Sequence, residues 1–195
     1  VADLDPRVKV LVCEPGKSRM YFAGEYDCVC YFGYHAMEGT LGGVLAHTMS
    51  SKTVQHYKLN GRYIGEVDMD AYIAASYGVP SCLFVGGDIA CAQAERAVPG
   101  IVTVTTKHEI SRNEAVFRDN EELFADIKAK VAEAVEKDIP VYRLTYPAVM
   151  EKSHKRVEDA AEYLTKLLAS GIEADYLSDE ILGKDAHTVQ STVYR

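Results

Sequence analysis

Three side chains in the first half of this 195-residue chain could do chemistry together: His35, His47 and Glu66. His35 directly follows residues 27–33, an apolar run that reads as a buried strand. A titratable group just past such a strand sits where α/β proteins place their sites. The alternative is a core histidine with satisfied hydrogen bonds. His47 lies in residues 36–51, rich in glycine and small residues, which read as a loop over a site. An imidazole there could act as a general base or stabilise developing charge, or simply face solvent. Glu66 closes a hairpin among Tyr63, Ile64 and Val67, where a carboxylate should not be buried unpaired. A metal would pair it, with His35 as co-ligand, and this donor set suits zinc. Two ligands are one short of a catalytic zinc site. The alternative is a carboxylate that compensates the dipole of the following helix.

The other polar groups read more plainly. Asp68 and Asp70 open the same helix and are expected to offset its dipole. Asp88, after Gly86-Gly87, either caps the next helix or lets the backbone approach a ligand. Ser111-Arg112, after Lys107 and His108, forms a surface cluster that could reach a carboxylate or another subunit. His56, His154 and His187 are expected on strands or at the surface. The sequence has no G-x-G-x-x-G, no P-loop lysine and no G-x-S-x-G, which argues against nucleotide binding and that serine-hydrolase chemistry.

Elements must position these groups. Residues 8–13 (VKVLVC), 27–33 and 81–85 (SCLFV) predict buried strands, and residues 101–106 another. Residues 54–66 predict a hairpin, because Asn60-Gly61 suits a type I′ turn. Helices are expected over residues 67–77, ended by Gly78, over about 89–96, and over 120–136, where Leu123, Phe124, Ile127, Val131 and Val135 share a face. After Pro140 the texture changes. Residues 141–149 alternate like a strand, Ser153 is expected to cap a helix ended by Gly171, and residues 187–195 read as a strand. The expected fold is α/β: a layered α/β/α domain with a mixed sheet over residues 1–140, plus a smaller α+β lobe over 141–195.

Composition bounds the partners. The chain is 48% hydrophobic and 26% charged, as globular domains are. Its net charge of −8 argues against nucleic acid and an anionic membrane surface as partners. The longest uncharged run, Ala71 to Gly87, is too short to span a bilayer and is broken by Gly78 and Pro80. The five cysteines include no C-x-x-C, and no basic stretch followed by an apolar core opens the sequence. The expectation is a cytoplasmic protein with reduced cysteines.

The strings FGYHAMEGT, GVLAHTMSSKTVQHYKLNGRYIGEVDMDAYIAASYGVP and GGDIACAQAE, with the later T-K…I-S-R, resemble the zinc-dependent D-aminopeptidases of the DppA type, peptidase family M55. The resemblance runs in order from about residue 27 to about residue 118, and residues 141–195 resemble the family's C-terminal lobe more loosely. It implies two zinc ions per complete site, with His35 and Glu66 as ligands of one and His47 as the catalytic histidine beside them. It also implies hydrolysis of the amino-terminal amide bond of short D-amino-acid peptides, and a ring-like homo-oligomer. A metal-dependent amide hydrolase acting on a non-peptide substrate, or a non-catalytic assembly subunit of the same fold, are the alternatives. The family's Asp-x-Glu strand and its following zinc-ligand histidine have no counterpart before His35, so a separate N-terminal segment is an expected partner. Where the family has Gly and Asn in the motif after G-E, this chain has Asp68 and Asp70, which adds negative charge near the expected metal.

Overall fold

The computed structural model describes residues 4–12, 14–17, 19–177 and 187–194. In chain order the elements are β1 (Val29–Tyr34), β2 (Val54–Leu59), β3 (Arg62–Ile64), α1 (Glu66–Ser76), β4 (Ser81–Gly87), α2 (Asp88–Ala97), β5 (Val102–Ser111), β6 (Glu114–Phe117), α3 (Asn120–Glu136), β7 (Ala148–His154), α4 (Val157–Ala169), β8 (Ala174–Leu177) and β9 (His187–Val193). They form two sheets, of order β1-β4-β5-β6 and β3-β2-β7-β9-β8. The fold is mixed α/β.

The first sheet is mixed. β1, β4 and β5 run parallel, and β6 returns antiparallel beside β5. Every residue of β4 is buried, as a parallel strand covered on both faces requires. Phe84 packs with α1 and α2 residues Ala71, Ala90 and Ala94, whereas Leu83 and Val85 pack with Ala134, Leu123, Ile127 and Val131 of α3. Helices therefore cover both faces, giving the expected α/β/α layering. Small alanines on α1 and α2 let those helices approach the sheet closely.

The second sheet is antiparallel and draws β2 and β3 from before residue 140 and β7, β8 and β9 from after it. The β2–β3 turn is the expected one: Asn60 and Gly61 have φ of 50° and 78°. Val54, Tyr57, Leu59 and Ile64 form a core with Ala148 and with Met69 of α1, so α1 touches both sheets.

Three sequence expectations change. Residues 8–12 form no strand, and Val8, Val10 and Val12 are 52%, 53% and 78% exposed. Apolar content gave that run burial potential, but no strand pairs with it among the described residues. Residues 141–147 are irregular and β7 starts only at Ala148. Pro147 has no N–H to give to a ladder, so pairing begins after it. Ser153 caps no helix. It lies in β7, with Oγ 2.8 Å from His56 Nε2 and 2.5 Å from Thr188 Oγ1, and α4 begins after Arg156. Pairing with β9 carries β7 through to the His154–His187 rung, which keeps Ser153 in the sheet. β6 and β8 were not anticipated, being short and half exposed.

His154 is 3% exposed, and neither of its ring nitrogens has a hydrogen-bond partner. Burial, together with Lys152, depresses its pKa from 6.5 to about 4, with Asp159 opposing and His187 adding to the depression. Between those values the unfolded chain binds a proton that the fold excludes, so stability falls as pH drops from 6.5 toward 4. From about pH 7.5 to about pH 5 the loss from this residue is expected to be on the order of 1–2 kcal/mol. Urea titrations should show it, and His154→Gln should flatten the pH dependence by that amount; an unchanged profile would refute it.

Candidate metal and catalytic site

The site gathers where β1 ends, where the glycine-rich loop turns back, and where α1 begins. His35 follows the last residue of β1, and Glu66 is the first residue of α1, reached from β3 through Gly65. Gly65 lets the chain pass close to Met37, since a Cβ there would lie 3.0 Å from Met37 Cβ, a tight contact. His47 is brought back to His35 by its own N–H, which donates to Ala36 O at 3.2 Å.

One ligand atom from each of His35, His47 and Glu66 lies within 4.8 Å of the others, and this is the one such group among the described residues. Both imidazoles present the same nitrogen. His35 Nδ1 lies 3.0 Å from Ala36 O and His47 Nδ1 lies 2.7 Å from Leu45 O. A carbonyl only accepts, so each Nδ1 carries a proton, and in the neutral ring Nε2 is the nitrogen with the lone pair. Those Nε2 atoms are 3.8 Å and 3.9 Å from Glu66 Oε1. These separations are too long for hydrogen bonds. Two ligands of a tetrahedral zinc at about 2.0–2.1 Å stand roughly 3.3–3.4 Å apart, so either imidazole needs to close by only a few tenths of an ångström to share a small divalent cation with Glu66.

The Glu66 carboxylate is divided between two tasks. Oε1 accepts the Met49 N–H at 2.8 Å and faces the imidazoles, while Oε2 takes Arg19 Nη1 at 3.0 Å. Burial alone would raise its pKa, but Met49 and Arg19 outweigh that and hold it below the usual carboxylate value. Met49 itself has φ of 65°, a left-handed conformation that turns its N–H in the loop toward the carboxylate.

The two extra carboxylates of α1 are each matched by an arginine. Asp70 Oδ1 pairs with Arg19 Nη2 at 2.5 Å, and its Oδ2 accepts from Tyr34 OH at 2.5 Å. Burial and then Asp70 raise the Tyr34 pKa, so its hydroxyl stays protonated as the donor. Asp68 lies 2.7 Å from Arg62 Nη2, and its Oδ2 accepts the Gly65 N–H at 2.9 Å at the start of α1. The negative charge that Asp68 and Asp70 add is thus compensated locally.

The expected site residues His35, His47 and Glu66 converge. Arg19 and the Met49 N–H were not foreseen; the odd arginine before an apolar strand carried no spacing signal. Asp88 bonds the Ile89 and Glu109 N–H groups and stands 3.2 Å from His108 Nδ1, away from the triad. The start of α2 is instead served by Glu109 Oε2, which accepts from Ile89 and Ala90 at 3.1 Å and 3.4 Å. The described residues provide donors for one ion and no second group of three.

The family model described as D-aminopeptidase, peptidase M55, matches residues 1–167. The D-aminopeptidase of Bacillus subtilis (strain 168) is 39% identical over 83 residues, which is 43% of this chain and 30% of that protein. The chain is also similar in structure to the Zn-dependent D-aminopeptidase DppA from Bacillus subtilis, a self-compartmentalizing protease. That likeness has a TM-score of 0.73 and 26% identity, over 88% of this chain and 58% of the other. The chain therefore spans less than two thirds of both relatives.

Zinc titrated calorimetrically should bind Glu66→Ala at least about tenfold more weakly than the unaltered protein. An unchanged dissociation constant would leave Glu66 only its helix-end role.

Proposed function

The chain belongs to the peptidase M55 family of D-aminopeptidases, and from that premise we propose that its site serves a zinc-dependent aminopeptidase cleaving the amino-terminal amide bond of short D-amino-acid peptides. The observation that carries this reading is the convergence of His35, His47 and Glu66 within 4.8 Å. His35 and Glu66 are assigned as ligands and His47 as the catalytic histidine.

The ring geometry supports that division of labour. His35 and His47 are stacked, with centroids 3.7 Å apart and planes inclined by 19°. An imidazole lone pair lies in the plane of its ring. Two nearly parallel rings therefore aim along separate lines and do not converge well on one ion. One imidazole can ligate while the other stands beside it, free at Nε2 for a proton.

His35 and Glu66 would hold a divalent ion, whose chemistry would be to polarise the scissile carbonyl and acidify the attacking water. The chain's own groups do the rest. His47, oriented by the Leu45 carbonyl, takes a proton at Nε2 from the attacking water and, so protonated, donates to the developing oxyanion or passes the proton to the leaving amine. Met49 N–H and Arg19 hold Glu66 so that Oε1 faces the imidazoles. Arg19 also offsets the charge of the carboxylate pair, so the site does not over-accumulate negative charge.

The remaining assignments belong to the same reading: two zinc ions in the complete site, further ligands supplied by an N-terminal segment, a ring-like homo-oligomer and a cytoplasmic location. The self-compartmentalizing relative supports the assembly. Among the described residues no helix is long and apolar enough to cross a membrane.

His47→Ala should lower turnover of a D-alanyl anilide by at least about 100-fold while zinc content stays near normal. Unchanged turnover would remove His47 from the mechanism. Loss of zinc along with activity would instead make His47 a third ligand.

A further inference from the structure

The β5–β6 hairpin reaches over the loop that carries His47. Glu109 Oε1 accepts the Val44 N–H at 2.7 Å, and Leu45 N donates to Arg112 O at 2.8 Å. Arg112 Nη1 donates to Ala46 O at 2.6 Å. Three consecutive loop residues are thereby fixed from one hairpin, and the guanidinium is placed against the residue preceding His47. Glu109 can reach both the loop and α2 because Gly87 leaves room: a Cβ there would lie 2.3 Å from Glu109 Cδ.

The charge on Arg112 has no acidic partner. Arg19, Arg62 and Arg118 each pair with a carboxylate, but no ion pair involves Arg112 among the described residues. Its anchor is a neutral carbonyl that takes one N–H and leaves the others of the fork unused. Beside it lies a cavity of about 320 Å³, lined by Glu38, Leu41, Gly43, Ala46, Ile110 and Arg112. Glu38 Oε1 is 3.9 Å from Lys155 Nζ, so its charge is partly offset. Leu41 and Ile110 are exposed, so this is an open groove with apolar rims; the Arg112 guanidinium stands at its edge without an ion pair among the described residues, and the Glu38 carboxylate is part of the same lining. That chemistry fits a carboxylate, which a planar fork binds through paired hydrogen bonds.

We propose that Arg112 binds the free C-terminal carboxylate of a short peptide whose amino-terminal amide lies at His47, making it a specificity-determining residue for substrates ending in a carboxylate. The proposal rests on the peptidase reading of the site for the position of the scissile amide. An extended peptide advances roughly 3.3–3.6 Å per residue, so a di- or tripeptide that runs from His47 past Ala46, whose carbonyl the guanidinium contacts, would bring its terminal carboxylate to Arg112. Longer peptides would carry their terminal charge past the guanidinium.

The test compares D-alanyl-glycine with D-alanyl-glycinamide, which differ in the terminal charge. Binding is measured by calorimetry on the metal-free protein, where hydrolysis does not compete. The acid should bind at least about tenfold more tightly than the amide, as expected of a charge-assisted fork. Arg112→Gln keeps a donor for Ala46 O but removes the charge; it should bind the acid as weakly as the amide, while Arg112→Lys should recover part of the preference. Equal binding of the two peptides to the unaltered protein, or binding of neither, would overturn the proposal. So would an Arg112→Gln protein that keeps the preference, or one that weakens both peptides alike, which would mean a purely loop-positioning role. Hydrolysis by the zinc-loaded protein is read separately. If the acid preference is present but neither peptide is cleaved, the carboxylate anchor stands and the peptidase reading falls.

Discussion

A single half-buried carboxylate must answer to three parts of the chain at once. Glu66 meets Arg19 from before β1, the Met49 N–H from the glycine-rich loop, and two imidazoles, His35 just before that loop and His47 within it. It can do so only because it is the first residue of α1, where the helix begins against both sheets. The hairpin that precedes it, the strand that delivers His35 and the left-handed backbone at Met49 all serve the placement of this one group. A carboxylate so placed would be costly without its partners, and the arrangement supplies each of them.

Much of this was legible in the sequence because the local signals were strong. Asn60-Gly61 required a hairpin, the SCLFV run required a strand buried on both faces, and the α3 stripe required an amphipathic helix. His35, His47 and Glu66 stood out as chemistry-bearing types at element ends, though the ligand and catalytic roles came from the family resemblance. What was not legible depends on partners distant in sequence. Ser153 reads as a cap in isolation but is held in the sheet by His56 and Thr188. The VKVLVC run reads as a strand, but its described residues 8–12 have no strand partner among the described residues. Arg19 contacts Glu66 across 47 positions and Asp70 across 51, a separation that no spacing rule detects.

The acidic character of α1 illustrates how a local charge excess can be misread. Asp68 and Asp70 add two carboxylates close to the expected metal, and on the sequence alone they read as making the site more negative. In the fold both are largely taken up elsewhere: Asp68 by Arg62 and the Gly65 N–H, Asp70 by Arg19 and Tyr34. The neighbouring residues thus act as a neutralised wall around the three donors. The wall also ties the N-terminal segment to α1, since Arg19 bridges Glu66 and Asp70 one helical turn apart.

The second sheet has a consequence for the order in which the molecule can be completed. β2 and β3 lead directly into Glu66, yet the neighbour that pairs with β2 on its other side is β7, and β7 in turn needs β9. Contacts of such sequence separation form slowly, after the chain between them has been made. On a ribosome the hairpin before Glu66 would emerge long before the strands that hold it. The three side chains would stay unfixed until the later strands have emerged, so completion of the site becomes a late event of biosynthesis.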